Sequence, residues 1–165
     1  MKTHRDQEGR GWFIWVRRAL LTMLAFAAVA GLLNAFGQRP ATSRAAAAQA
    51  RLTVYAPLRA RSGVIYAARF RIDAVRELRN ATLILAPGWA EQYTVNGASP
   101  QPVTEGSSNG RLVFGLGHVP AGRHITFWLS LQVNPTNVGR RSQTVVLADG
   151  DTRIATVHRT ITVWP

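Results

Sequence analysis

The chain has 165 residues, a formal net charge of +12 and no cysteine. The missing thiol excludes cysteine nucleophiles, thiolate metal sites, disulfides and redox roles, and with Lys2 the lone lysine, Schiff-base and Ser-Lys mechanisms are closed to everything beyond the N-terminus. Arginine supplies nearly all the positive charge, a bias that together with the alanine-rich composition points to a GC-rich bacterial coding sequence.

Residues 1–18, MKTHRDQEGRGWFIWVRR, carry five basic groups, two of them directly before an apolar run. That placement favours a cytoplasmic N-terminus. The run itself, residues 19–36 (ALLTMLAFAAVAGLLNAF), contains no charge. At about 1.5 Å per residue it spans about 27 Å, close to the roughly 30 Å hydrocarbon core, and Trp12 to Val16 can extend the helix inward. Trp12 and Trp15 fall where interfacial aromatics belong. The expectation is a retained signal-anchor: one transmembrane helix whose partner is membrane lipid, placing the rest of the chain outside the cell membrane.

A cleavable signal is the alternative, since Ala28-Val29-Ala30 and Ala48-Gln49-Ala50 both have the small-x-small form of a cleavage site. The apolar run, however, exceeds the usual 7 to 15 residues of a signal h-region. Residues 37–50, GQRPATSRAAAAQA, are polar and proline-interrupted, and read as a linker.

From Leu52 onward the hydrophobic period becomes two, with strand-length runs between Gly, Pro, Asn and Asp punctuation. Val64, Tyr66, Ala68, Phe70 and Ile72 alternate along one strand, Leu112, Phe114 and Leu116 along another, and Ile125, Phe127, Leu129, Leu131 and Val133 along a third. Ala81, Leu83 and Leu85 form a further strand, Tyr93 to Val95 a short one before Asn96-Gly97, and Leu52 with Val54 opens the domain. Residues 143–147 and 152–164 flank Asp149-Gly150, a dipeptide suited to the positive φ angles of a tight hairpin. Residues 51–165 should therefore form an all-β domain, an immunoglobulin-like antiparallel β-sandwich of seven or eight strands. The Cys-Trp-Cys arrangement of antibody domains is missing.

Two segments carry a resemblance: residues 119–129 (VPAGRHITFWL) and 132–139 (QVNPTNVG). The step from proline through a small residue and glycine into an alternating strand, with a Pro/Gly loop after it, resembles bacterial Ig-like surface modules. The layout is similar to small bacterial proteins with one N-terminal helix and one such domain, a group with no established activity. The resemblance implies a sandwich fold and no mechanism.

No catalytic constellation is present: no G-x-S-x-G elbow, no H-E-x-x-H and no glycine-rich phosphate loop opening a helix. Residues 106–110 (GSSNG) lead into a strand and read as a turn. His118, His124 and His158 have no ligand spacing, and Asp149-Gly150-Asp151 lacks the other oxygen ligands of a calcium loop. No catalytic residue, cofactor site or metal site is assigned.

Surface features remain. Residues 51–165 hold thirteen arginines against six acids, a balance that draws anions as well as aiding solubility. With Phe70 and Ile72 inward, Arg69 and Arg71 must point outward, with Arg59, Arg61, Arg76 and Arg79 expected in flanking loops. Trp128 lies opposite in parity to Phe127 and Leu129, so its indole is expected at the surface unless a loop covers it. Arg69, Arg71 and Trp128 are the candidate contact surface. Trp89, after Pro87-Gly88, is expected to plug one end of the sandwich. The leading functional expectation is a non-catalytic, membrane-anchored interaction module of the cell envelope. The alternative is a domain binding anionic lipid or wall polymer, with nucleic acid disfavoured for a domain outside the cell.

Overall fold

The computed structural model describes residues 11–33 and 37–165. The chain divides into two units, Met1–Gly37 and Gln38–Pro165.

The first unit contains helix α1, Gly11–Leu32, of 22 residues and therefore about 33 Å long. It begins before the uncharged run, so Arg17 and Arg18 lie inside the helix rather than ahead of it. Trp12 to Val16 supply the extra turns, and the Arg18 guanidinium lies 5.5 Å from the centre of the Trp15 ring. Beyond Arg18 the apolar side chains surround the helix rather than forming one stripe, and Leu20, Leu24, Phe26 and Val29 are all exposed. The segment Trp12–Leu32 is long and apolar enough to cross a membrane. Residues 1–10 of the basic tail and 34–36 of the apolar run lie outside the described residues.

In the second unit the strands in chain order are β1 (Pro40–Ala46), β2 (Ala50–Pro57), β3 (Arg59–Arg61), β4 (Ile65–Ala74), β5 (Leu78–Leu85) and β6 (Tyr93–Ser99). There follow β7 (Thr104–Ser108), β8 (Arg111–Val119), β9 (His124–Val133), β10 (Gly139–Ser142), β11 (Val145–Asp149), β12 (Thr152–Val157) and β13 (Thr160–Trp164). One five-stranded sheet runs β1-β2-β4-β9-β6 and another β12-β11-β5-β8-β7, both antiparallel throughout. A third ribbon, β10-β13-β3, contains one parallel pairing, β13 with β3. This is an all-β, immunoglobulin-like antiparallel sandwich.

The strands number thirteen among the described residues, more than the seven or eight expected; the additions are β1, β3, β7, β10 and a division of the final run. The segment read as a linker contains β1, whose Thr42, Arg44 and Ala46 pair with Tyr55, Thr53 and Arg51 of β2. Its residues, PATSRAA, are small or polar on both faces, so the pattern carried too little hydrophobic contrast to read as a strand. Edge strand β7 (Thr104–Ser108) takes in residues 106–108 of the segment 106–110 read as a turn, and the turn narrows to Asn109 and Gly110, both at positive φ. Glycine and serine side chains all exposed on an edge leave no alternation to detect. The final run splits into β12 and β13 around His158 and Arg159. β6 continues through Asn96-Gly97 with a bulge between Val95 and Gly97 instead of turning there.

The core lies between the sheets. Leu52, Val54, Phe70, Ile72, Phe127, Leu129 and Leu131 meet Leu83, Leu85, Phe114, Val145 and Leu147 across it, all fully buried. Phe127 and Phe114 touch between the two layers with ring centres 5.1 Å apart. Trp89, in the 3₁₀ turn Pro87–Trp89, has no exposed surface and packs on Phe70 at 5.4 Å. Its other neighbour is Arg159, 6% exposed, whose guanidinium lies 5.7 Å from the indole centre. Arg159 Nη2 donates to the carbonyl oxygens of Ala56 at 2.7 Å and Pro57 at 3.0 Å. Burial lowers the pKa of this guanidinium from its ordinary value.

The same region buries Tyr66, whose hydroxyl accepts a hydrogen bond from Gln143 Nε2 at 3.1 Å, and Tyr93, edge-on to it. Burial raises both phenol pKa values above the ordinary tyrosine range. The unfolded chain releases these protons above about pH 10, whereas the folded chain keeps them, so their contribution is intact below pH 10 and declines above it. Each tyrosine should add a slope of up to about 1.4 kcal/mol per pH unit. Arg159 opposes this only where arginine itself titrates, at higher pH still. Urea midpoints of the full chain should fall from pH 9 to pH 11, and less steeply for Tyr66→Phe; equal slopes would assign the alkaline loss elsewhere.

Candidate interaction face

Strand parity turns Thr53 and Tyr55 of β2, Ala67, Arg69 and Arg71 of β4, and Thr126, Trp128 and Ser130 of β9 away from the core. Antiparallel register then aligns them. Thr42, Tyr55, Arg69, Trp128 and Ser99 stand in one row across all five strands. Arg44, Thr53, Arg71 and Thr126 form the row beside it, and Ala46, Arg51, Asp73 and His124 the next.

Within the central row, the Arg69 guanidinium lies 5.0 Å from the Tyr55 ring centre and 5.4 Å from that of Trp128. Two aromatic faces thus hold one cation, an arrangement worth about 0.5–1 kcal/mol per pair at an exposed site. Neither contact uses up the hydrogen-bonding edge of the guanidinium, and Arg69 has no carboxylate partner among the described residues. Trp128 keeps 42% of its surface in solvent. The site therefore offers a pre-oriented donor fork flanked by an indole.

Arg71 differs. Its Nε donates to Asp73 Oδ1 at 2.9 Å, two positions along the same strand. That neutralises part of its charge, though both side chains are largely solvated and the pair is worth little to stability. With Arg44, Arg51, Arg69 and Arg71 on the face and Asp73 the one acid among these rows, the surface is basic.

The structure brings Arg69, Arg71 and Trp128 together on adjacent strands. It adds Tyr55, missed because its strand was recognised only through Leu52 and Val54; its parity with Thr53, opposite Val54, was the available signal. The remaining arginines do not join them as expected: Arg59 and Arg61 are on β3 and Arg79 is on β5, and only Arg76 lies between strands. The histidines are dispersed. His118 Nε2 lies 2.8 Å from Glu77 Oε1, His124 belongs to the outward face of β9, and His158 follows β12. Among the described residues no group of three or more His, Asp or Glu side chains is placed to hold a metal ion. Gly150, at φ 56°, closes the β11–β12 hairpin, and the Asn80 amide donates to Asp149 Oδ1 at 2.6 Å.

No family model matches the chain, and no curated protein matches it. Among solved structures it is similar to a bacterial cohesin module, the solution structure of CaCohA2 from Clostridium acetobutylicum. The identity is 15%, the match covers 64% of this chain and 85% of that one, and the TM-score is 0.46.

Proposed function

We propose that the protein is a non-catalytic, membrane-anchored interaction module of the bacterial cell envelope. Helix α1 holds it in membrane lipid with its N-terminus cytoplasmic and the sandwich outside. The outward face of the β1-β2-β4-β9-β6 sheet receives a protein partner that presents a carboxylate to Arg69 and an apolar contact to Trp128. The observation that carries this reading is the Tyr55–Arg69–Trp128 row: exposed Trp, Tyr and Arg are the residue types that dominate binding energy at protein contacts.

A photo-crosslinking residue in place of Ala67, beside the row on β4, should capture a partner protein in membranes. The same residue at Ser107, on edge strand β7, should not. Combining Arg69→Ala with Trp128→Ala should remove the adduct, since each such truncation costs about 2 kcal/mol, about thirtyfold in affinity. Recovery of the chain alone from Ala67, or an adduct indifferent to both substitutions, defeats the reading.

Binding of an anionic lipid surface or wall polymer is favoured by a separate observation, the four arginines against one acid across the three rows. Counterion-dominated attachment weakens steeply as salt rises and the screening length contracts toward about 3 Å. A complex that survives molar salt unchanged would exclude it and retain the protein partner.

Topology has its own test, made clean by the absence of native cysteine. Ser108→Cys, on the exposed end of β7, should react with a membrane-impermeant maleimide in intact cells and run at full-length mass. Labelling only after lysis would put the sandwich inside the cell, and a shortened product would show that the helix is cleaved.

A further inference from the structure

The outward face of the second sheet carries a groove of about 290 Å³, on the opposite side of the sandwich from the Arg69 row. Ile84 of β5, Val146 of β11 and Pro87 give it an apolar lining. Register explains their proximity: Val146 is paired with Ile84 on one side and with Thr156 of β12 on the other. Arg111 enters from the start of β8, just after Gly110, where an added Cβ would stand 3.7 Å from Pro87. Arg153, Thr156 and His158 enter from β12 and the residues after it, and Thr144, with its hydroxyl 3.5 Å from His158 Nδ1, precedes β11.

No carboxylate lines the groove, and neither Arg111 nor Arg153 has an ion-pair partner among the described residues. Two unneutralised guanidiniums, an imidazole and two hydroxyls therefore converge on an apolar lining. Guanidinium forks suit multi-oxygen anions, to which they donate two parallel hydrogen bonds. The volume is close to the lower limit of small-molecule sites, which typically combine an apolar lining with a few placed polar groups. We infer that this groove binds a phosphate group carried on an apolar body, the phosphate between Arg111 and Arg153 and the apolar part over Ile84 and Val146. A phospholipid headgroup region and a soluble organophosphate share that chemistry.

Hexyl phosphate is the probe, titrated calorimetrically into the full chain in micelles of the phosphate-free detergent dodecyl maltoside, with inorganic phosphate and hexanol alongside. Saturable binding of hexyl phosphate is expected, at least about tenfold tighter than either fragment. Arg111→Gln with Arg153→Gln should weaken it at least about tenfold, as expected for lost hydrogen bonds to a charged group. Arg123→Gln, in the turn after β8 at the opposite end of that strand from Arg111, should leave it unchanged, and circular dichroism of each variant reports that the sandwich remains folded. Repeating the titration in nanodiscs that include phosphatidylglycerol separates the sources: blocked binding identifies lipid as the occupant, and unchanged binding a soluble ligand. No saturable binding, equal affinity for inorganic phosphate, or indifference to the double substitution overturns the inference.

Discussion

Trp89→Ala should lower the stability of the sandwich by about 3–5 kcal/mol, the range for removing a large aromatic from a packed interior. Trp89 has no exposed surface and meets Phe70 at 5.4 Å. It also covers Arg159, which is buried beside it. Alanine would leave a cavity and deprive a buried cation of its aromatic face, so a value at the upper end is expected. Arg159 cannot simply swing into water, because its Nη2 holds the Ala56 and Pro57 carbonyls at the end of β2. Urea unfolding of the full chain in mild detergent, followed by the β-sheet circular dichroism signal, measures the change. A loss below about 1 kcal/mol would mean that the site collapses around the smaller side chain, and that Trp89 is not the end plug of this core.

Gly88→Ala, one position earlier, should cost about 3 kcal/mol through overpacking rather than cavity formation. A Cβ at Gly88 would overlap the Ser142 carbonyl oxygen and crowd Arg141 Cβ at 3.3 Å. Ser142 closes β10 and pairs with Thr160 of β13. Relief therefore requires a strand to move, not a side chain to rotate. Gly115→Ala is the comparison. Its Cβ would overlap Thr104 Oγ1, a side-chain atom on edge strand β7 that can turn to another rotamer. That substitution should cost less than about 1 kcal/mol. Equal losses at the two positions in the same urea titration would contradict the distinction between backbone and side-chain obstruction.

Much of the fold is legible from local pattern. The uncharged run after Arg18 predicts a membrane-length helix, and the alternation in 64–72, 112–116 and 125–133 predicts strands with the correct inward faces. The hairpin at Asp149-Gly150 follows from the conformational preference of its glycine. The strands that escaped notice, β1 and β7, are edge strands made mostly of small or polar residues. An edge strand can be held by ladder hydrogen bonds while burying little apolar surface, so hydrophobic alternation is a poor detector of it. β10, with arginines at its centre, escapes for the same reason.

The sequence by itself determined the absence of any thiol or lysine amine from residues 51–165, the membrane-length helix, the basic charge and the side of each strand on which Arg69, Arg71 and Trp128 stand. Parity decides the last of these because successive residues on a strand point to opposite faces. Only the tertiary structure decided that Arg69 lies between Tyr55 and Trp128, that Arg159 is buried against Trp89, and that Arg111 and Arg153 line one groove. The first and last depend on the register between strands distant along the chain, and the second on how the segments between strands pack at one end of the core. Such register is set by how the apolar faces of two sheets fit together, a non-local balance that no single run of residues encodes.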